Sequence, residues 1–245
     1  MSVITLTFGD AAENHVGMQQ LGNKADKGFD YEDLMGFAEF YKSKGKKVEI
    51  VNLKCDDKFD DAWFMVVRNG FDKDLELFEE LKTLNWDTKA LMRGKVVNKH
   101  ARYNLCFDNY EQEPDYAAGK GRIVNMGTIK LLKELNDEIA GLEGIGDLKI
   151  EGNYYYDLNK TFILPHGDVE RRKVVGVRLG ETLPLFFQWY HKGEPVSGLG
   201  KYMINSGDIY FMSEKTVGTD WRKSSLYTLR HSAGNEEVIN KNKSK

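Results

Sequence analysis

The chain has 245 residues, of which 41% are hydrophobic and 30% charged, and its formal net charge is −3. This composition is typical of a globular chain with one large or two smaller domains, and it excludes disorder as the main state. It also excludes a surface that is basic throughout and binds nucleic acid by charge alone. The two cysteines, Cys55 and Cys106, are too few for a disulfide framework or a four-cysteine zinc site.

The amino-terminal residues and the hydropathy pattern predict where the protein resides. The opening MSVITLTFGD has no basic region followed by an apolar stretch, which a cleaved signal peptide would need. The sequence also has no run of about 18 apolar residues, the length that a membrane-spanning helix requires. We therefore expect an intracellular protein of the cytoplasm or nucleus, with reduced cysteines and no membrane partner.

The first 71 residues are predicted to form a small α/β unit. Val3–Phe8 alternates apolar residues with threonine, as a half-buried strand does. A helix is predicted from an N-cap at Asp30 to Gly45, and two further strands are predicted at Val48–Leu53 and Ala62–Val67. The segment contains no motif that indicates a role, so we treat it as a separate unit. The polar residues of its first loop, Asp10, Glu13, Asn14 and His15, suit either a turn, which we favour, or a site.

Residues 72–245 form the second predicted unit, in which helices precede strands. Apolar residues at helical spacing predict one helix over 72–86 and another over 129–142. Seven short β-like runs separated by Gly, Pro and Asn follow, which favours an antiparallel barrel or jelly roll. The runs are Leu148–Tyr156, Thr161–Leu164, Lys173–Leu179, Leu183–Trp189, Lys201–Ile204, Asp208–Met212 and Leu226–His231. The predicted fold class is thus α+β: a jelly-roll domain with a small N-terminal α/β unit.

The tripeptide His166-Gly167-Asp168 is a candidate metal-binding motif. Its histidine and carboxylate lie two residues apart, so they project from the same face of an extended segment. A further histidine from a distant strand would complete a set of two histidines and one carboxylate, which binds iron(II) and leaves positions open for cosubstrate and oxygen. His231, at the end of the last β-like run, is the natural third ligand. An H-x-D tripeptide alone is common by chance, so the neighbouring motifs carry the interpretation.

The order of motifs around His166-Gly167-Asp168 resembles that of the AlkB-like family of iron(II)- and 2-oxoglutarate-dependent dioxygenases. In that family an N-x-Y element precedes H-x-D and a strand ending in Leu-Gly follows it, as Asn153-Tyr154-Tyr155 and Leu179-Gly180 do here. Three more family elements follow: an aromatic strand, a Gly-Asp pair that opens a hydrophobic strand, and a final φ-T-φ-R strand. They correspond to Pro184–Trp189, Gly207-Asp208 and Tyr227–Arg230.

The resemblance implies a double-stranded β-helix that binds iron(II) and 2-oxoglutarate and uses O₂ to hydroxylate or demethylate its substrate. It further implies that His166 and Asp168 bind iron and that Asn153 and Tyr155 hydrogen-bond 2-oxoglutarate. It covers about residues 72–234 and does not reach the first 71. The segments that would correspond to the family's nucleotide-lid region are Lys95–Phe107 and Pro114–Val124.

Two alignments of the final strand are open. In the first, His231 is the third iron ligand and the family's final arginine strand is missing, because no arginine follows it. In the second, Arg230 binds the 2-oxoglutarate carboxylate and the third iron ligand has been lost near Trp221–Lys223. We prefer the first, which keeps a complete metal site but needs another cation for the carboxylate. Arg178 is a candidate because it shares a strand face with Gly176, and a surface salt bridge is its alternative role.

A basic and aromatic stretch indicates the class of substrate. Residues 93–103 combine cations that bind phosphate with a ring that can stack on a base. The family resemblance implies that this stretch lies beside the active site, and hence that a base in single-stranded or flipped-base nucleic acid is oxidised. A solvated lysine-rich turn between strands is the alternative interpretation of the stretch. The predicted substrate-binding residues are Arg93, Lys99, Arg102 and Tyr103. A protein side-chain hydroxylase on the same fold, and a catalytically silent module that binds nucleic acid or protein, are the alternatives.

Overall fold

The computed structural model describes residues 2–237 and residue 239. The tail Asn240–Lys245, whose biased composition predicts a frayed end, lies outside the described residues. The secondary structure is mostly β. The strands are β1 (Val3–Gly9), β2 (Ala11–Glu13), β3 (Gln20–Gly22), β4 (Lys47–Asn52), β5 (Trp63–Arg68), β6 (Lys89–Met92), β7 (Lys95–Asn98), β8 (Arg102–Asp108), β9 (Ile123–Asn125), β10 (Lys149–Tyr155), β11 (Phe162–His166), β12 (Val174–Gly180), β13 (Leu183–His191), β14 (Glu194–Pro195), β15 (Gly200–Ile204), β16 (Ile209–Met212) and β17 (Thr228–Gly234). The α-helices are α1 (Tyr31–Ser43), α2 (Asp74–Lys82), α3 (Lys130–Ala140) and α4 (Glu214–Val217).

The predicted helices and strands are confirmed, with small differences at their ends. Each of the seven β-like runs contains a strand, and the three predicted helices are α1, α2 and α3. Asp30 caps α1: its carboxylate accepts a hydrogen bond from the Asp33 amide at 3.0 Å, and the Asp33 carboxylate accepts one from the Asp30 amide at 3.0 Å. This reciprocal pair satisfies two amide groups that the first turn leaves without helical partners.

Most of the strands belong to two sheets. The larger has eight strands in the order β4-β5-β16-β12-β1-β10-β8-β9. The smaller has five strands in the order β11-β17-β13-β14, with β15 also pairing with β13. The described strand pairs are antiparallel except for β8 with β9. Two hairpins, β2–β3 and β6–β7, lie outside these sheets.

The larger sheet contains strands from both sides of the boundary predicted at residue 71. β1 pairs with β10 on one side and with β12 on the other, and β5 pairs with β16. The core against this sheet also draws on both segments: Leu34 of α1 packs in one cluster with Leu77 of α2 and Leu132 of α3. The two predicted units therefore share one sheet and one hydrophobic core.

The larger sheet has one apolar face and a second face that is polar around β1 and β10, because side chains alternate along each strand. On β1, Ile4, Leu6 and Phe8 point to the helices and are fully buried in the core, whereas Thr5 and Thr7 line a cavity on the other side. Removing so much apolar surface from water is the main stabilising contribution to this layer. The polar face is left to form the floor of the cavity.

The five-stranded sheet covers that polar face. At one end the two sheets pack through a second apolar cluster, which includes Phe64 and Tyr210 of the larger sheet and Phe187 and Trp189 of the smaller. The Trp189 indole donates a hydrogen bond to the Leu53 carbonyl at 2.8 Å, so its one polar atom is satisfied. Two facing sheets with a shared core are compatible with a β-sandwich or jelly roll. Within the described residues, the helices are too short or too polar to span a membrane.

Candidate metal centre

The structure brings His166, Asp168 and His231 together. His166, the last residue of β11, lies opposite His231 in the β11–β17 pairing, and their ring centroids are 4.5 Å apart. The Asp168 Oδ1 lies 3.5 Å from the Nε2 of each histidine. One ligand atom from each residue falls within 4.8 Å of the other two, so the group could hold a metal ion.

Gly167 allows the segment from His166 to Asp168 to approach the residues after α4. A Cβ at this position would lie 2.0 Å from the carbonyl oxygen of Gly218, so only glycine fits. Gly218 itself has φ +76°, a conformation that a side chain would strain. The Asp168 amide donates to the Val217 carbonyl at 3.1 Å, which places the carboxylate beside the two imidazoles.

The protonation states of His166 and Asp168 suit metal binding. Burial and the neighbouring His231 lower the pKa of His166 to about 4, against the opposing effect of Asp168, so its imidazole is neutral at pH 7. Its Nδ1 lies 2.8 Å from the Leu164 carbonyl, and the tautomer that donates there leaves the Nε2 lone pair facing Asp168. Burial opposes ionisation of Asp168, but Arg171 and the two histidines hold the pKa of its carboxyl well below the usual range.

Arg171 connects the segment that follows β11 to the larger sheet. Its guanidinium lies 3.3 Å from Asp168, 2.9 Å from Glu170 and 2.8 Å from Glu151 of β10. The residue is only 4% exposed, so these pairs are largely shielded from solvent. Arg171 therefore fixes the orientation of Asp168, leaving Oδ1 directed at the histidines.

A cavity of about 440 Å³ lies between the two sheets and is lined by all three residues of the candidate centre. Its floor carries one row of side chains that are in register across four strands: Asn104, Asn153, Thr5 and Arg178. Arg178 is 1% exposed and its Nη1 donates to the Thr5 hydroxyl. The alternative prediction of a surface salt bridge at Arg178 is wrong, because the residue is buried and forms no ion pair within the described part of the chain.

Comparison with known proteins relates this chain to a viral protein of nearly the same length. No family model matches the sequence. The chain is 47% identical over 248 residues to "Uncharacterized protein R156" of Acanthamoeba polyphaga mimivirus, a match that spans 96% of this chain and 97% of the viral protein. The chain belongs to the family of that viral protein. Because the mimivirus protein is uncharacterized, membership supplies no activity.

In this member of the mimivirus protein's family, several further residues predicted for the site line the same cavity. Asn153 and Tyr155 of β10 do so, as does Arg102 of β8. Arg230 does not: it follows β17 alternation to the other face, where its guanidinium lies 4.0 Å from the centre of the Tyr190 ring. The geometry thus places His231, and not Arg230, at the cavity.

The other three predicted substrate-binding residues lie outside the cavity lining. Arg93 is exposed in the turn between β6 and β7. The Lys99 Nζ donates to the Asn14 side chain at 2.8 Å. Tyr103 faces the opposite side of β8 from Arg102, and its ring lies 4.4 Å from that of Tyr156. Of the four predicted substrate-binding residues, Arg102 is therefore the one that lines the cavity.

Sequence reasoning missed several cavity residues. The largest group not assigned to the site is Glu13, the last residue of β2, with Asn14, His15 and Val16 after it, all of which line the cavity. From the sequence, a turn is the favoured interpretation of Glu13, Asn14 and His15. This segment lies in the first 71 residues, which the sequence did not connect to the site. Thr5 and Thr7 were a usable signal, because polar residues at alternate positions of a central strand mark a face that is not core.

Proposed function

We propose that the chain is an iron(II)- and 2-oxoglutarate-dependent dioxygenase of the AlkB-like type. The observation that carries the proposal is the placement of His166, Asp168 and His231 on the same cavity as the buried, unpaired Arg178. Two histidines and a carboxylate suit iron(II) that keeps open coordination positions. A buried guanidinium suits a carboxylate. 2-Oxoglutarate carries one end that chelates iron and another that ends in a carboxylate.

An unsatisfied polar atom of Arg178 supports this assignment. Its Nε has no hydrogen-bond partner among the described residues, and burial lowers its pKa, which expresses the cost of an uncompensated cation. A cosubstrate carboxylate would supply the missing negative charge and acceptors. With Arg178 in this role, a complete metal site and a carboxylate site coexist, as in the first of the two alignments of the final strand.

The side chains around the centre have separate tasks. His166 and His231 would hold iron through imidazole nitrogens, and Asp168, oriented by Arg171, would supply the negative ligand. When bound, iron with O₂ and 2-oxoglutarate supplies the oxidising power. Asn153 keeps one Nδ2 hydrogen for the cosubstrate, since its other contacts are with Asn104 and Glu151. These roles favour the double-stranded β-helix as the finer description of the fold.

The nucleic-acid base remains the proposed substrate. The cavity lining includes Arg102, Arg222 and Trp221, and the Arg222 guanidinium lies 5.4 Å from the Trp221 ring. Two cations for phosphate and an aromatic surface for stacking suit a single strand or a flipped nucleotide. Oligonucleotide affinity should then fall steeply as salt increases, whereas a protein-hydroxylating enzyme would bind oligonucleotides without such salt dependence or not at all.

An anaerobic titration tests the proposed chemistry. Apo-protein is mixed with iron(II) and excess 2-oxoglutarate, and the visible spectrum is followed for the weak charge-transfer band of such ternary complexes. We expect the band only when both are present, and we expect His231→Ala to remove it. A folded protein that gives no band would refute the dioxygenase and favour the silent binding module.

A further inference from the structure

Glu13, the last residue of β2, and the loop residues 14–16 that follow it line one side of the cavity and are held in place. The Asn14 Nδ2 donates to Asp87 at 2.7 Å, and Lys99 donates to the Asn14 Oδ1 at 2.8 Å. Asp87 is 1% exposed, so the loop is anchored to a buried charged group and not to solvent. Glu13 is therefore fixed at the cavity wall.

The Glu13 carboxylate faces other carboxylates and has no cation of its own. Its Oε2 accepts only a long bond, 3.4 Å, from the Gly17 amide, and no ion pair to it occurs within the described residues. The charged groups around it are Glu151, Glu170 and Arg171. Burial, then the charge of Glu170, raises the pKa of Glu13 to about 7. The four carboxylates are those of Glu13, Glu151, Glu170 and Asp168. If all four are ionised, their total negative charge exceeds the positive charge of Arg171 and a divalent ion by one.

A second acceptor lies on the cavity floor at Asn104. Glu151 can only accept hydrogen bonds, so the Asn153 group 3.1 Å from it must be the Nδ2 amide. The Asn153 Oδ1 then faces Asn104, whose Nδ2 donates to it at 2.7 Å. These two hydrogen bonds therefore determine which side-chain atom of Asn104 is the amide nitrogen and which is the carbonyl oxygen. Its Oδ1 is left without a partner in the described structure, although the residue is 4% exposed.

The Asn104 acceptor is well separated from the site proposed for the cosubstrate carboxylate, and Glu13 lies on the Asn104 side of the cavity. The Glu13 amide donates to the Glu151 Oε2 at 3.3 Å, and Glu151 in turn contacts Asn153, the neighbour of Asn104. Asn104 and Arg178 occupy the two ends of the same row of four strands, which corresponds to three strand spacings of about 4.8 Å, or about 14 Å. The cavity therefore offers a cationic end at Arg178 and an acceptor-rich end at Glu13 and Asn104.

We propose that the acceptor-rich end of the cavity is a subsite for a cationic, planar N–H donor group of the amidinium or guanidinium type, bound by the Glu13 carboxylate and the Asn104 carbonyl. Glu13 and Asn104 lie on separate strands, so a single ligand group that binds both must present at least two N–H donors. A delocalised planar cation is also more weakly hydrated than an ammonium, so it enters a buried site at lower cost. The binding of this group does not depend on the proposed function. The further statement that the group is part of the molecule being oxidised does rest on the proposed function.

Binding of benzamidine to the full-length protein, without iron or 2-oxoglutarate, tests the subsite. Benzamide is the neutral control of nearly the same shape, and isothermal titration calorimetry gives both affinities. At pH 8 we expect benzamidine to bind at least about tenfold more tightly than benzamide. The benzamidine affinity should fall about tenfold between pH 8 and pH 6, because Glu13 takes up a proton near pH 7.

Three variants assign the binding to Glu13. Glu13→Gln should abolish the preference for benzamidine and its pH dependence, and Glu13→Asp should retain part of both. Glu39→Gln, on the exposed face of α1, should behave as the wild type. Equal affinity for the two probes, no binding of either, or an unchanged preference in a folded Glu13→Gln variant would overturn the subsite. Since no metal is present, these outcomes are independent of the charge-transfer band that tests the dioxygenase.

Discussion

The Asp168 Oδ1 lies 3.5 Å from the His231 Nε2, although the first residue follows β11 and the second belongs to β17. The antiparallel pairing of these strands, which sets His166 opposite His231, produces this contact. Arg230 precedes His231 and points to the other face of the same strand. Substitutions at the adjacent residues Arg230 and His231 therefore test which of the two side chains contributes to the candidate metal centre.

His231→Ala should weaken iron(II) binding by more than about 100-fold, because loss of a metal ligand costs more than the 10–100-fold of an outer-shell partner. Arg230→Ala should leave iron and 2-oxoglutarate affinity nearly unchanged, since its side chain stacks on Tyr190 away from the cavity. Anaerobic equilibrium binding measures both variants. If Arg230→Ala raised the 2-oxoglutarate requirement strongly and His231→Ala did not change iron affinity, the second alignment would be correct.

Arg178→Met should have opposite effects on binding and on stability. Removing one partner of a buried charge pair costs about 2–5 kcal/mol, so 2-oxoglutarate affinity should fall at least about 30-fold while iron affinity is retained. The free energy of unfolding of the apo-protein should rise by about 1 kcal/mol or more, because an uncompensated buried cation is removed. Calorimetric titration and urea denaturation give the two values. Unchanged 2-oxoglutarate affinity would show that another residue binds the carboxylate.

Arg171→Met should destabilise the protein by about 3–5 kcal/mol, because it leaves the Asp168, Glu151 and Glu170 carboxylates facing one another without a cation. Iron affinity should also fall, since Asp168 loses the contact that orients it. Arg172→Met is the matched control: its side chain is 35% exposed and pairs with Glu214, so the cost should be below about 1 kcal/mol. Urea denaturation of both variants at neutral pH separates buried from surface charge.

Gly176→Ala should cost about 1–3 kcal/mol, because the added Cβ would lie 1.9 Å from the Tyr210 ring on the neighbouring strand. Relief requires the ring to move into the cavity. Gly36→Ala in α1 provides the control, since a Cβ there meets nothing within 4 Å and alanine favours the helix by about 0.5–1 kcal/mol. Thermal unfolding should show shifts of opposite sign, and a neutral Gly176→Ala would mean that Tyr210 is not confined.

The pKa of Glu13 predicts how stability depends on pH. Its carboxyl binds a proton more tightly in the folded state, at a pKa of about 7, than in the unfolded state, near 4.5. The folded protein therefore loses stability as pH rises from 4.5 to about 7, and the loss is complete above that. Glu13→Gln should be about 1–3 kcal/mol more stable than the wild type at pH 8, with little difference at pH 4. Equal stability of the two proteins at pH 8 would show that Glu13 ionises without penalty.

Local patterns in the sequence predicted most of the secondary structure. Alternation in Val3–Phe8 and the capping box at Asp30 act through residues close in the chain, so they are visible without a fold. The H-x-D tripeptide is likewise local, and its chemistry restricts which ions it suits. His231 was identified because a third donor was needed and few histidines were available.

Tertiary structure alone decided how the strands pair and which polar residues become buried. Nothing local to β1 indicates that it lies between β10 and β12, because backbone hydrogen bonds between distant segments carry no side-chain code. The same holds for Glu13 and Arg178, which the fold brings to one cavity from opposite sides of residue 71. The sequence by itself determined the elements and the ligand types, whereas long-range sheet pairing and burial decided where the charges meet and how strongly they interact.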